Sequence, residues 1–578
     1  MTEQLSNQQV AQVFRDLADA LEALGENRFK TQAYARAAET IAALPTSLYR
    51  YLEAGTLDEL PGVGPAITAK LTELLTTGRL EFREQLREQV PDGVLAIMRL
   101  PGIGPKTALR LFRELGISDP EELEDAARQG RIRSVKGLGP RLEARILEAL
   151  AQQTAAASRF LLGELLPLAR ELVAALREAV PQLTAAEVAG SLRRATPTAG
   201  DINLVAAAPQ PLRVVEAFTT LPHLATITYR DVARVEGLLH NGRRCTLAVT
   251  TPERWGVLLA CWTGSAAHWA RLMALAVARG LRLAEDGLWQ GDVPVSTPDE
   301  QTCYAALGLP WIAPELREDR GEIEAALAGR LPRLITLADL RADMHTHTDW
   351  SDGRATLQQM AEAALARGYE YYIVTDHGAY MGMVNGLDAA RLRQQRAAID
   401  AVNDDLRRRG QRLRLLQGVE VDILPDGSLA LPDEVLAALD WVVASPHVSL
   451  RQERAVFTAR LLRAIRNPHV DCIGHPTGRK LLQRQAADVD LEALIAAALE
   501  HGTALELDGA YERLDLDAEQ VRQVIAAGVP ICVDSDAHHP RDLVNIEYGV
   551  LTARRGWATA ADVLNCRPWA ELQARRSA

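Results

Sequence analysis

The sequence predicts a multidomain chain, all-α at its N-terminus and α/β over its larger remainder. Three observations predict it. A length of 578 residues suggests about three to five domains. A hydrophobic-x-Gly-hydrophobic-Gly-Pro turn, followed each time by an amphipathic pattern, recurs three times within the first 150 residues. Beyond residue 340, apolar runs of strand length alternate with helical stretches, as in a parallel α/β layer. The 48% hydrophobic and 24% charged content is that of a globular protein rather than a disordered one.

The three turns read "LPGVGPAITAKL" at 60–71, "LPGIGPKTALRL" at 100–111 and "VKGLGPRLEARI" at 135–146. Their paired glycines (Gly62 and Gly64, Gly102 and Gly104, Gly137 and Gly139) allow a tight turn and a close approach of backbone to another molecule. Proline fixes the first helical turn that follows. Bare amides at such a helix start suit an anion. One copy would be an ordinary helix-to-helix connection; three in under 90 residues resemble helix-hairpin-helix motifs, and the resemblance implies that backbone amides hold nucleic-acid phosphates without base contacts. The net charge of -12 does not oppose this, because the donors are amides. Arg131, Arg133, Lys136 and Arg141 add local positive charge. Before the first turn, "ENRFKTQAYARAAETIAALP" at 26–45 has the apolar spacing of a helix.

In the middle of the chain, "GSLRRATPTAGDINLV" at 190–205 ends in a strand that carries Asp201 and Asn203 on one face. Two carboxylates there would suit a pair of divalent cations; one carboxylate and one amide suit them poorly.

Histidine is concentrated toward the C-terminus, with nine of twelve between His345 and His539. The strand-like runs "YYIVTDH", "LLQGVEVDI", "WVVASPHV", "HVDCIGHP", "TALELDG" and "PICVDSDAH" end in metal-binding residue types. The predicted ligands are His345, His347, Asp352, His377, Glu420, His447, His475, Asp536 and His538. Strand C-terminal ends are where α/β folds place their sites. Mixed imidazole and carboxylate ligands suit manganese, zinc or iron rather than an all-oxygen magnesium site. His469, His501 and His539 fit no such position, and "RRRGQRLRL" at 407–415 reads as a solvated helix end.

These motifs together resemble the bacterial family X DNA polymerases with a fused PHP (polymerase and histidinol phosphatase) domain, over nearly the whole chain. The resemblance implies a helical helix-hairpin-helix lyase-like domain at 1–88 and a second, fingers-like helical domain at 89–155. It implies a polymerase-beta-like nucleotidyltransferase palm at 156–260, a thumb at 261–327 and a linker at 328–340. A PHP domain, a distorted (β/α)7 barrel, would fill 341–578. Lys70 matches the family's Schiff-base lysine, whereas the lysine that helps hold a 5′-phosphate is Ala66 here. Ser191 and Arg194 match the residues that hold the incoming triphosphate. Of three metal-binding aspartates only Asp201 is kept; Asn203 and Thr246 stand at the other two, and Trp269 replaces an asparagine near the nascent base pair. The implied activity is therefore a metal-dependent 3′-5′ exonuclease on DNA, with polymerase activity lost or weak.

In the family pattern one ion takes His345, His347, Glu420 and Asp536. A second shares Glu420 and adds His447 and His475, and a third takes Asp352, His377 and His538. Water activated by the cluster would attack a terminal phosphodiester, releasing nucleoside 5′-monophosphates and leaving a 3′-hydroxyl. Asp508 in "LELDG" departs from the asparagine common there. Two other readings stay open: a small-molecule phosphomonoesterase of the histidinol-phosphatase type, and a non-enzymatic scaffold for DNA ends. The expected partner is gapped, nicked or 3′-ended DNA, bound by a monomer. The scattered cysteines and the lack of a long apolar run or a leader predict a cytoplasmic protein with no membrane contact.

Overall fold

The computed structural model describes residues 5, 7–44, 48–98, 100, 103–157, 159–380 and 384–577. Gly102 lies outside the described residues. The chain forms two compact units, Met1–Ser158 and Arg159–Ala578.

The first unit is helical throughout its described residues. One core, from Val10 in the first helix to Leu150 in the last, runs through both helical domains read from the sequence. The three turns share a geometry. Val63, Ile103 and Leu138 each donate a backbone N–H three residues back, to Leu60, Leu100 and Val135. Val63 and Ile103 are buried, so the hydrophobic residue anchors the turn, while Gly62, Gly64 and Gly104 lie at the surface. Gly62 and Gly137 take positive φ (77° and 86°), which glycine alone adopts freely. The helices Pro65–Thr77 and Pro105–Leu115 start at Gly64 and Gly104 with proline in the first turn and no capping side chain. Arg133 is not free positive charge: it pairs with the buried Glu143 and fastens the third turn to its helix.

The second unit opens with a five-stranded palm-like sheet. Strands are numbered along the chain as β1 (Phe160–Leu161), β2 (Ala185–Val188), β3 (Thr198–Ala199), β4 (Ile202–Ala207), β5 (Leu224–Arg230), β6 (Arg234–Leu239) and β7 (Arg244–Thr250). The sheet order is β2-β4-β7-β6-β5, with β1 and β3 paired separately. Its core packs under the helix Leu162–Ala179. A small antiparallel sheet follows, made of β8 (Arg282–Ala284), β9 (Gly287–Gln290) and β10 (Val293–Val295).

The rest is a parallel sheet whose order is the order of the chain: β11 (Tyr371–Val374), β12 (Arg414–Asp422), β13 (Trp441–Ser445), β14 (Cys472–Ile473), β15 (Ala504–Asp508) and β16 (Ile531–Asp534). Every described residue of these strands except Arg414 is buried, because helices cover the outside and side chains fill the inside. Residues 341–347 take the seventh place without forming a regular strand. Ile373 and Thr375 donate to the carbonyls of Asp343 and Thr346 on one side. His347 donates to Ala537, and Thr346 bridges Ala537 in parallel, on the other. The irregular segment thereby brings the two ends of the sheet together, with its histidines at the strands' C-terminal rim. The "RRRGQRLRL" arginines end the helix Ala389–Arg408 and pair locally, Arg408 with Asp405 and Arg409 with Glu362. Among the described residues no helix is long and apolar enough to cross a membrane.

Candidate metal centre and palm site

The nine residues predicted as ligands come from six segments and meet at one rim. Glu420, inside β12 and 1% exposed, is the hub. His475 Nε2 lies 2.9 Å and His447 Nε2 3.1 Å from its Oε1. His377 Nδ1 lies 2.9 Å, His345 Nε2 3.5 Å and His347 Nε2 3.7 Å from its Oε2. Asp536 Oδ1 stands 3.1 Å from His347 Nε2 and 3.8 Å from His345 Nε2. Asp352 Oδ1 lies 3.4 Å from His538 Nε2 and 3.6 Å from His377 Nε2. Three groups have ligand atoms close enough to share an ion: His345, His347 and Asp536; His377, Glu420 and His447; and His347, Asp352, His377 and His538. The groups overlap more than the sequence pattern implied, since His347 and His377 each belong to two.

Backbone geometry aims these side chains. His475 and Asp536 have positive φ (26° and 50°), a strained conformation for residues with a Cβ. Gly474 permits a close approach before His475, for a Cβ there would stand 2.2 Å from Ser445 Oγ. Asp376 holds the loop carrying His347 and Asp352 by accepting from Thr348 N, Thr348 Oγ1 and Ser351 Oγ.

Two further carboxylates orient the histidines from behind. Glu506 Oε1 is 2.6 Å from His345 Nδ1, and its Oε2 accepts from His475 N. Asp422 Oδ1 is 2.8 Å from His447 Nδ1. A carboxylate on the far nitrogen of a metal-binding histidine fixes the tautomer and raises its basicity. Sequence reading missed both. Their signal was present in strand alternation, which puts Glu506 on one face with Asp508, and Asp422 on one face with Glu420.

The chemistry of the donor set fits cations. His345 Nε2, both nitrogens of His347, His377 Nδ1 and His475 Nδ1 are buried without a hydrogen-bond partner. Each such group costs about 1–3 kcal/mol when left unsatisfied. Burial opposes ionisation of Glu420, but His447, His377 and His345 outweigh it and hold the carboxyl well below its ordinary range. Burial and the neighbouring His538 and His377 push His347 down to about 3. Burial and Arg513 bring His475 to about 3. Burial opposes protonation of His345, His447 and His538, but the carboxylates around them raise all three, His447 to about 10 and His538 to about 9. A cation would take the place of those protons, since ionised carboxylates and neutral imidazoles are the ligating forms.

In the palm, β4 and β7 run parallel, with Asn203 directly opposite Thr246. Asn203 Nδ2 donates to Asp201 Oδ1 at 3.1 Å, so the amide occupies the carboxylate it stands beside. Ser191 lies on the turn of helix Gly190–Arg193, where its carbonyl accepts from Thr196 N. Arg194 is engaged within the protein: Nε donates to Glu318 Oε1 and Nη1 to the Thr263 carbonyl, both at 2.9 Å. Arg555, from the helix Asn545–Arg555, donates to Glu318 and to the Arg194 carbonyl. In the helical unit, Lys70 Nζ lies 4.8 Å from the centre of the Phe82 ring and Lys30 Nζ 5.7 Å from it. Two of the five lysines therefore share one aromatic ring, and Lys30 carries no motif that would have singled it out.

Comparison with known proteins assigns family models to four stretches. A helix-hairpin-helix domain matches residues 5–80, and a SAM-like helix-hairpin-helix tandem matches 94–152. A DNA polymerase beta thumb matches 258–318 and a PHP domain 343–528. A relative in Bacillus subtilis (strain 168), named DNA polymerase/3'-5' exonuclease PolX, is 35% identical over 570 residues, 98% of each chain. A probable phosphatase of Thermoanaerobacter sp. (strain X514) is 32% identical over 239 residues, 39% of this chain and 89% of its own. One of Photobacterium profundum is 32% identical over 217 residues, 36% of this chain and 81% of its own.

Proposed function

The chain belongs to the family X DNA polymerases with a C-terminal PHP domain, and from that premise we propose that it trims DNA from 3′ ends at its PHP site. Its palm, in this reading, transfers nucleotides weakly or not at all. The observation that carries the first part is the convergence of nine ligand-type side chains on Glu420 and Asp536, with buried imidazole nitrogens left unpaired. The second part rests on Asn203 and Thr246 beside Asp201, an arrangement with one carboxylate where a two-cation transfer needs several.

Three divalent ions, manganese, zinc or iron, suit the donors. His345, His347, Glu420 and Asp536 would hold one; Glu420, His447 and His475 a second; Asp352, His377 and His538 a third. Such ions supply activation of a water nucleophile and neutralisation of phosphodiester charge. Glu420 bridges between positions, Glu506 and Asp422 keep His345 and His447 aimed, and Asp376 holds the loop of His347 and Asp352 in place. The products are nucleoside 5′-monophosphates and a shortened strand with a 3′-hydroxyl.

The helical unit binds the duplex near a gap, nick or end through the amides at Gly62, Gly64, Gly104, Gly137 and Gly139. Lys70 is the candidate for Schiff-base chemistry on a 5′-deoxyribose phosphate. Ser191 is free for a triphosphate while Arg194 is committed to Glu318. The protein acts as a monomer in the cytoplasm.

The test is digestion of 3′-labelled duplex DNA with manganese. Activity should vanish in His345→Ala and in Asp536→Ala; full-rate digestion by either variant sinks the assignment. The phosphatase names of the shorter relatives favour one alternative, a small-molecule phosphomonoesterase. Faster turnover of histidinol phosphate than of DNA would select it.

A further inference from the structure

Beside the metal centre stands an arginine that the ligand set does not use. Arg513 is largely buried, with 15% of its side chain exposed. Its Nε lies 3.2 Å from Asp508 Oδ2 and 3.8 Å from Asp536 Oδ2. Neither approach has hydrogen-bond geometry, and Asp508 Oδ2 accepts no hydrogen bond. Among the described residues the guanidinium donates to nothing. Its guanidinium nitrogens are not sealed from solvent, so its five N–H donors stand open to a ligand at the rim. An oxyanion with two acceptors, as on a phosphodiester, matches that planar fork.

Lys480 strengthens the case from a second loop. It is one of five lysines in the chain, it is half-buried, and among the described residues its ammonium makes no ion pair or hydrogen bond. Burial and the charges of Arg513 and Arg484 hold its pKa below the ordinary lysine value. Lys480 and Arg513 stand on adjoining loops and add positive charge beside anionic ligands, where a phosphate would be neutralised. The loops are firmly held. Leu481 N donates to Glu512 O at 2.7 Å, Arg479 Nε donates to Arg513 O at 2.8 Å, and Asp508 Oδ1 accepts from Ala510 N at 2.7 Å. The palm supports them from outside: Leu514 is buried in the palm core, and Tyr511 packs on Gly163, where a Cβ would fall 2.2 Å from its ring.

We propose that Arg513, positioned by Asp508 and by the palm, binds the non-bridging oxygens of the phosphate being cleaved, with Lys480 as a second cation at the same anion. Asp508, which departs from the asparagine of the family, acquires a role as the charge that holds this arginine. The inference rests on the reading of the PHP site as a phosphodiesterase. An inert, metal-loaded wild type would refute that reading, whereas an active wild type matched by Arg513→Ala would refute only this one.

The experiment uses the full chain, with metal content measured for each variant. Arg513→Ala is expected to slow 3′-end digestion by about 10²-fold, the usual effect of removing one oxyanion donor. It should also weaken binding of thymidine 5′-monophosphate, followed by thermal shift, by about tenfold, and added methylguanidine should restore part of the rate. Arg513→Lys keeps the charge without the fork and should fall between. Asp508→Asn tests the positioning role and should raise KM more than it lowers kcat. If Arg513→Ala does not fold, Arg513→Lys and Asp508→Asn carry the same comparison. A rate and nucleotide affinity within twofold of wild type overturn the proposal. So does a loss of rate that follows metal loss and resists methylguanidine.

Discussion

Replacing Glu300 with glutamine should weaken the second unit by about 3 kcal/mol, and the loss should disappear in acid. Glu300 is 4% exposed and joins three elements. It receives Arg193 at 2.8 and 2.9 Å from the palm turn, both terminal nitrogens of the fully buried Arg317, and Trp311 Nε1 at 3.1 Å. Burial alone would raise its pKa; Arg317 and Arg193 outweigh burial and bring it from 4.5 to about 2. At ~1.4 kcal/mol per pH unit that difference is worth about 3 kcal/mol, matching the ~3–5 kcal/mol typical of breaking a buried ion pair. Because the folded pKa is depressed, the contribution is complete above about pH 4.5 and lost as pH falls toward 2. A shift of 2–4 °C per kcal/mol, usual for 150–250 residues, roughly halves in a unit spanning Arg159–Ala578, so the melting transition should drop by roughly 3–6 °C at pH 7. Calorimetry of Glu300→Gln and wild type between pH 3 and 8 reads the gap directly. Equal melting at pH 7 would refute the argument, as would a gap that stays constant below pH 4.

Chelation should destabilise the second unit, because the buried imidazole nitrogens of His345, His347 and His377 lose the partner their geometry implies. Manganese or zinc should then raise the transition temperature with ligand concentration, and a transition indifferent to both would count against a resident metal. Gly64→Ala should leave the fold intact, since φ there is -87° and a Cβ would meet nothing within 4 Å. It should still weaken duplex binding several-fold in a titration at fixed salt, by setting a methyl group between the amides and a phosphate; unchanged affinity would remove that turn from the interface. Wild type should show no gap filling that Asp201→Ala abolishes. The pair Asn203→Asp and Thr246→Asp, which restores two carboxylates beside Asp201, should raise magnesium-dependent incorporation at least about tenfold.

The three N-terminal turns were legible because their chemistry is local: positive φ at Gly62 and Gly137 demands glycine, and the proline that follows marks a helix start. The residues predicted as ligands were legible as a group for a related reason. A parallel sheet in chain order presents each strand's end at one rim, so a histidine or carboxylate ending an apolar run reports its own position. What the sequence hid depends on partners distant along the chain. Arg194 looks free for a triphosphate until Glu318, 124 residues on, is folded against it. Arg133 looks like a phosphate contact until Glu143 takes it. The irregular segment 341–347 carries two ligands yet has no strand periodicity, since it meets its neighbours by single bonds rather than a ladder. Arg513 sits in a loop, where no period announces which way a side chain turns.

A palm with Asn203 and Thr246 beside Asp201 still supports the C-terminal domain, and the packing gives the reason. Leu514 and Tyr548, both from the C-terminal domain, are buried in the palm core, with Leu481, Tyr511 and Leu551 packed around them. Arg170 pairs with Glu547 across the same surface, and Arg554 reaches Glu315. Removing the palm would expose this apolar set and release the loops that carry Arg513 and Lys480 beside Asp536. The palm core is thus part of what positions those loops. Asn203 and Thr246 therefore bear on the chemistry of the palm alone. Loss of its core contacts would reach the hydrolytic site as well, although none of its residues is a metal ligand there.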